Sequence, residues 1–430
     1  MGIAKLNGES IMKKKTILYL RTDVFCNGEK IIAGGSVAHT LGVIEGFLSL
    51  QYEVIVAASL MHELLENLKL KKLERLYVPK LLLKLRWKLS CFISTFLFAA
   101  QSLKLLKKDA SVDYIYQRYS ILNATGVLLS CIKKIPLILE YNGSELWVDT
   151  FWAQKKLITF RSLIRFVEWL NIKYAHRIVV VSKPLRDELI QRGISRDKII
   201  VNPNGVNTTV LNPALLTNER NELRHQLGIE ESFVFGFIGT FSKWHGIEML
   251  VAMIPAILAK KPQAHFLLIG DGPLFSYLQE NLKQCIDEKK VTCTGLIAQS
   301  EGKKYLAACD AFLSPTQPNP DGTPFFGSPT KIFEYLSMGK PIIASHLDQV
   351  AEVIYPAFID KDLDAHFLVT NQVGIVMAPT NENLFIQAAC RLVDLDVINL
   401  EKMGLNARSK AIKEHDWQHH VEIIINQISL

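Results

Sequence analysis

The chain has 430 residues, which at ~150 residues per domain points to two or three domains. Hydrophobic residues make up 49% and charged residues 21%, with 24 Gly and 16 Pro, so a sizeable core is expected and a largely disordered, collagen-like or mucin-like chain is excluded. Seven Cys without a Cys-x-x-Cys pair argue against a disulfide framework or a zinc finger and favour a reducing compartment.

The first eleven residues read as a loose leader, with Met12 as an alternative start, and the run Ile17–Leu20 is too short for a signal-peptide core. The net charge of +7 is concentrated. Residues 69–108 carry eleven Lys or Arg against one acid, Glu74, with Leu81, Leu82, Leu83, Leu85, Trp87, Phe92, Phe96 and Phe98 interleaved. This reads as a basic amphipathic helical region, either a solvated face over a core or a surface for anionic lipid. Its longest uncharged stretch, Leu89–Leu103, has 15 residues where a span needs ~20, so no transmembrane helix is expected. No nucleic-acid motif accompanies the charge.

Short apolar runs predict strands at Thr16–Leu20, Val54–Ser59, Tyr114–Tyr116, Pro136–Glu140 and Arg177–Val181. A second series follows at Phe233–Gly239, Ala264–Ile269, Val291–Thr294, Ala311–Ser314, Pro341–Ala344 and Val373–Val376. Most are continuous Val, Ile, Leu or Phe, the pattern of strands buried on both faces of a parallel sheet. Helical periodicity fills the intervals, so the fold class is α/β, doubly wound. Asn/Pro/Gly-rich turn chemistry at 202–218 separates the two series. The expected organisation is two Rossmann-like domains, 1–210 and 211–410, with a terminal helix in 411–430 crossing back to the first. Ligands of such sheets bind at the strand carboxyl ends, in the cleft between the domains.

The candidate chemistry lies at those strand ends. Gly34-Gly35-Ser36 opens a helix after the first strand, where backbone N–H groups meet an anion. Neither the nicotinamide Gly-x-Gly-x-x-Gly pattern nor a Walker A loop occurs. The strand at 233–239 runs into a loop holding Thr240, Lys243 and His245, whereas His265 sits within a strand and reads as core. Gly270-Asp271-Gly272-Pro273 is first of all a turn. The Asp pairs at 362/364 and 394/396 read as solvated. A Gly/Pro-rich loop from Asp321 leads into a short helix, with Ser328 as the expected cap and Pro329 at its first position. Its N-terminus suits phosphate oxygens, Lys331 adds charge, and Glu334 is placed to accept a ribose diol.

This last segment, together with Asn204-Gly205-Val206, Gly270–Pro273, Pro341–Ala344, Val181-Ser182, Thr294-Gly295, Tyr305-Leu306-Ala307 and Trp417, resembles the GT-B glycosyltransferases of family 4, the "glycosyl transferases group 1". The Gly-Ser-Pro-x-Lys and Trp-His-Gly variants resemble a branch linked with bacterial surface polysaccharide. The resemblance implies retaining, metal-independent transfer from a nucleotide sugar to a hydroxyl of a glycan or lipid-diphosphate-linked acceptor, without a cofactor. It implies donor contacts from Gly35, Ser36, Thr240, Lys243, His245, Gly272, Ser328, Lys331 and Glu334. Glu334 matches the second glutamate of the family's Glu-x7-Glu pair, while Phe326 stands where the first belongs. Thr240 and His245 stand where two cations usually grip the diphosphate, leaving Lys331, Lys243 and a protonatable His245 as substitutes. Arg118, Asn142 and Glu145 are the expected acceptor contacts, with Asn142 and Glu334 taken as closest to the chemistry. The basic 69–108 region is then expected to dock on the cytosolic leaflet, making a cytoplasmic, peripheral enzyme that binds no nucleic acid. Two rival readings remain at this stage: a GT-B nucleotide-sugar epimerase, and a non-catalytic binding protein, suggested by Phe326 and Thr240.

Overall fold

The computed structural model describes residues 14–24, 34–60, 62–108, 112–154, 159–363 and 367–428; the leader, Cys26 and Asp364 lie outside them. Two parallel seven-stranded sheets organise the chain. The first contains β1 (Thr16–Arg21), β2 (Glu53–Ala58), β3 (Lys72–Arg75), β4 (Val112–Arg118), β5 (Leu137–Tyr141), β6 (Arg177–Val180) and β7 (Ile199–Val201), in the order β3-β2-β1-β4-β5-β6-β7. The second contains β8 (Phe233–Ile238), β9 (Ala264–Ile269), β10 (Val291–Cys293), β11 (Ala311–Ser314), β12 (Ile342–Ser345), β13 (Phe358–Ile359) and β14 (Gly374–Met377), in the order β10-β9-β8-β11-β12-β14-β13.

Strand alternation explains the layers. Leu18, Leu20, Ile55, Ile115 and Leu139 face one helical layer, and Ile17, Tyr19, Val56, Tyr116 and Ile138 face the other. Phe235, Phe266 and Ile343 oppose Val234, Leu267 and Ile342 in the same way in the second sheet. A strand with both faces covered must be apolar at every position, which is why the central strands are plain in the sequence.

Three strands escaped the sequence pattern: β3, β7 and β13. All three lie at sheet edges. β3 reads Lys-Leu-Glu-Arg and is only partly buried, because an edge strand need not be apolar on both faces. Its presence also corrects the expectation of a helical region over 69–108. That stretch is an edge strand, a one-turn helix at Lys80–Leu83, and a helix of 22 residues at Trp87–Lys108. By length and composition Trp87–Lys107 is long and apolar enough to cross a membrane, although its longest uncharged stretch is shorter, and half of it is buried. Cys91, Phe98, Leu105 and Leu106 enter the core of the first domain.

The last helix, Trp417–Ile428, lies on the helix Gly35–Ser49 of the first domain. Two glycines make the close approach possible: a Cβ on Gly42 would sit 1.9 Å from Trp417 Nε1, and one on Gly46 would sit 2.5 Å from Val421. The outgoing and returning segments touch where they cross between domains, with Val206 N–H donating to His415 O (2.8 Å) and Trp417 N–H to Val206 O (3.2 Å).

Candidate functional site

The carboxyl ends of both sheets face one another across a cleft. On the second domain, the helix Thr330–Ser337 starts at the cleft. Its sequence, Thr-Lys-Ile-Phe-Glu-Tyr-Leu-Ser, buries Ile332, Phe333, Tyr335 and Leu336 in the domain. The expected Ser328 cap is not formed: Pro329 occupies the cap position, without a side-chain hydrogen bond. The Ser328 hydroxyl is instead spent on the interdomain linker, accepting from Asn204 N–H at 3.1 Å, while the Asn204 side-chain amide donates to Ser328 O. The register thus comes from the linker, a contact 124 residues away that local capping rules do not see.

Lys331 is 5% exposed and forms no ion pair among the described residues. Its Nζ lies 3.8 Å from the centre of the Phe237 ring, and a Cβ on Gly239 (φ +147°) would come within 2.8 Å of it. Glycine at the end of β8 therefore makes room for this ammonium. Burial pushes the Lys331 pKa down to about 7, with Glu334 opposing. Burial likewise raises Glu334 to about 7, against the pull of Lys331. Burial thus pushes both the lysine and the carboxyl toward their neutral forms, the environment of a site that a polar ligand can complete.

His245 closes the same corner. Its ring lies edge-on to Phe237 at 6.4 Å and to Trp244 at 5.2 Å. Burial first, then Lys331, pushes its pKa well below the ordinary value, so the expectation of a protonatable His245 is corrected for the free protein. Thr240 and Lys243 are exposed. Lys243 lines an outer pocket with Phe151, Trp152, Glu248 and Gln317, at the rim where Trp152 meets Trp244 edge-on at 6.1 Å. Gly272 (φ +157°) backs the Thr240–Phe241 turn, where a Cβ would reach Phe241 N at 2.6 Å. His265 is 2% exposed within β9 and bonds Thr292 Oγ1 at 2.9 Å.

Opposite stands the Gly34–Ser36 turn. A Cβ on Gly35 would meet Thr330 Oγ1 at 2.9 Å, so these two helix N-termini nearly touch. The first is held by Arg21 at the end of β1, which donates to Ser36 O at 2.8 Å, to Ser36 Oγ at 3.3 Å and to Thr40 Oγ1. Arg21 was missed in the sequence, where it only ended an apolar run.

Glu140, at the end of β5, is the residue that organises the first domain's half of the cleft. It is fully buried and takes hydrogen bonds from Tyr116 (3.0 Å), Asn142 Nδ2 (2.7 Å) and Arg118. His39 Nε2 lies 2.8 Å from its second oxygen. Burial opposes its ionisation, but His39 and Arg118 outweigh it and hold the carboxyl well below the usual range. Arg118 and Asn142 therefore direct these donors to Glu140 rather than into the open cleft, leaving Asn142 Oδ1 buried and unpaired. An acid directly after the apolar run Leu137–Leu139, still within the strand, was the available sequence signal. Glu145 stands apart, solvent-accessible but crowded, its carboxyl raised by loss of solvation and by Asp23, with Arg118 opposing.

Phe326 packs onto the first domain. Its ring is edge-on to Trp147 at 4.8 Å and fills the space beside Gly143, while its carbonyl accepts from Ser182 Oγ at 2.8 Å. Trp147 Nε1 donates to Asp321 at 2.8 Å across the same junction. Among the described residues, no three His, Cys, Asp or Glu side chains gather as metal ligands.

Two Rossmann-like domains, a cleft between strand carboxyl ends and two apposed helix N-termini define a glycosyltransferase of GT-B type. The chain belongs to family 4 of these enzymes: residues 33–210 match the model "Glycosyltransferase Family 4" and residues 232–394 match "Glycosyl transferases group 1". It is 22% identical over 420 residues to the alpha-monoglucosyldiacylglycerol synthase of Acholeplasma laidlawii, covering 90% of this chain and 100% of that one. An uncharacterized glycosyltransferase of Methanocaldococcus jannaschii is 25% identical over 193 residues, which is 44% of this chain and 47% of that protein, so the match spans about half the relative's length. Among solved structures, Anabaena HepE in complex with UDP-glucose superposes with a TM-score of 0.67 at 20% identity, over 96% of this chain and 100% of that one.

Proposed function

We propose that the enzyme takes a sugar from a nucleotide-sugar donor, with retention and without a metal, and passes it to a hydroxyl of a glycan or lipid-linked acceptor in polysaccharide or glycolipid assembly. The observation that carries this reading is the buried, unpaired Lys331 at the N-terminus of Thr330–Ser337, with Glu334 one turn further along. An ammonium, free helix N–H groups and the Gly35–Ser36 turn supply the positive field that a diphosphate leaving group needs, which is the part a metal plays elsewhere. Glu334 accepts the ribose diol. The acceptor hydroxyl attacks from the leaving-group face and its proton passes to a phosphate oxygen, so no strong general base is required. The UDP-glucose complex of a structural neighbour supports a UDP-type donor, and the glycolipid synthase relative supports a lipid-linked acceptor.

The rim beside Trp152, Trp244, Gln317 and Lys243 offers aromatic faces and polar groups to the acceptor. A basic, apolar face is set for an anionic cytosolic leaflet: Leu81, Leu85, Leu89 and Phe96 are exposed beside Lys80, Lys84 and Arg86. The helix Arg161–Tyr174 carries a second exposed aromatic pair, Phe166 and Trp169, stacked at 5.9 Å.

The test is thermal shift in EDTA against UDP-, GDP-, dTDP- and CMP-sugars, with Glu334→Ala in parallel. A shift with one nucleotide family, reduced in the variant, is expected. No shift with any donor refutes the proposed site.

A further inference from the structure

His39 is 5% exposed and lies where three segments meet. It sits on the helix Gly35–Ser49, one turn beyond Gly35. One ring nitrogen faces Glu140 in the acceptor half of the cleft, and the other faces Asn204 in the interdomain linker. The edge of the ring meets Trp417 of the returning segment at 5.1 Å. Asn204 in turn bonds Ser328, two residues before the donor helix, through both its backbone N–H and its side-chain amide. A continuous polar chain therefore runs Asn142/Arg118–Glu140–His39–Asn204–Ser328 and joins the two halves of the cleft.

The protonation of this chain follows from its partners. The Asn204 Nδ2 donates to Ser328 O, which turns Oδ1, an acceptor without a proton, toward His39 Nδ1. Glu140 Oε2, also an acceptor, stands 2.8 Å from Nε2, off the axis of a straight hydrogen bond and thus as an ion-pair contact. A neutral imidazole has one N–H and would turn a lone pair on one of these oxygens. Only the imidazolium suits both. The charged and titratable groups around it are Glu140 on β5, Tyr116 and Arg118 on β4 and Tyr19 on β1 behind that carboxylate, and His420 on the terminal helix. Glu140 supplies the negative charge of this set.

We infer that His39 is a positioning residue that, as an imidazolium, couples the acceptor loop at Glu140–Asn142 to the donor helix through Asn204 and Ser328. It touches no substrate. It fixes the linker that sets where Lys331 and Glu334 stand relative to Gly35. The inference rests on the donor site proposed above for its functional consequence, but not for its chemistry.

The experiment uses the full chain labelled with 15N-histidine, with His39→Gln to assign the signal. Both ring nitrogens of His39 are expected to be protonated at pH 7; a neutral tautomer at that pH overturns the inference. In a His39→Gln protein labelled uniformly with 15N, backbone amide signals of Ser328 and Lys331 are expected to move from their wild-type positions. UDP binding is expected to weaken about tenfold, because the donor helix is no longer held in its binding position before the ligand arrives. Unmoved amide signals overturn the coupling whether or not UDP binds. Should the variant not fold, the wild-type protonation state still decides, its signal then assigned from Asn204→Ala, in which the His39 nitrogens alone lose a partner. A wild-type protein that binds no UDP but shows the imidazolium and the amide shifts refutes the donor reading and leaves His39 in its role.

Discussion

Replacing Lys331 with Met keeps the length of the side chain and removes its charge. In the free protein this ammonium is buried and its pKa falls from 10.5 to about 7, with burial as the main cause. The unfolded chain holds the proton up to 10.5, so the wild type gains stability as pH rises from about 7 to 10.5; Glu334 acts in the opposite sense, but below pH 7. At pH 7 the lysine costs the folded state on the order of 4 kcal/mol, which is an upper limit on what Met recovers. The variant is therefore expected to be more stable at pH 7, and the rise of stability between pH 7 and 10.5 is expected to flatten. Nucleoside diphosphate binding is expected to change in the other direction. One lost charge-assisted hydrogen bond is worth about 1.5–3 kcal/mol, or roughly 10- to 150-fold in Kd. Urea unfolding at pH 6, 7.5 and 9 reads the first effect, and isothermal titration with UDP reads the second. A less stable variant that binds UDP as the wild type does would falsify the reasoning, because it would make Lys331 a structural residue.

Glu140→Ala leaves Arg118 and His39 without their counter-ion and is expected to cost about 3–5 kcal/mol by urea unfolding. Since the folded carboxyl is held below its ordinary 4.5, its stabilising share is present above pH 4.5 and lost below; in the variant that acid-dependent loss should disappear. Gly42→Ala would drive a methyl into Trp417 Nε1, and overpacking of about 1–3 kcal/mol is expected, with faster amide exchange in Trp417–Ile428 as the readout. Phe326→Glu places a carboxylate where the Glu-x7-Glu pattern of the resemblance would have one, but removes the ring packed on Trp147, an aromatic pair worth about 0.5–1.5 kcal/mol. Calorimetry should show no gain in UDP affinity; a tighter complex would mean that Phe326 merely fills a vacated donor contact.

The legible part of the molecule is the part governed by local rules. Central strands announced themselves because both faces are covered, and the Gly-Ser-Pro-Thr-Lys segment announced a helix start at a strand-end cleft. The edge strand β3 did not, since one open side relaxes the demand for apolar residues, and the edge strands β7 and β13 are apolar but only three and two residues long, too short to make a run. Ser328 was placed correctly next to a helix start but given the wrong partner, because a linker amide 124 residues away claims its hydroxyl. Glu140 and His39 stood in plain view as an acid in a strand and a base in a helix. Their meaning depends on contacts 101 and 165 residues apart, which no periodicity encodes. His245 was read by its residue type, whereas the packing of Phe237, Trp244 and Lys331 around it decides its charge.

The returning helix has a consequence for the order in which this protein is made. It supplies Trp417, Val421, Ile424 and Ile428 to the same layer as Val37, Phe47 and Tyr19, so the first domain borrows part of its wall from residues translated after the second domain. Domains usually fold as units, amino-terminal first, while synthesis continues. Here the amino-terminal half must wait with an apolar flank uncovered until the ribosome has passed the second domain and released residues 417–428. Completion of the cleft thereby waits on synthesis of the second domain, and a chain cut before Trp417 has no finished first-domain wall.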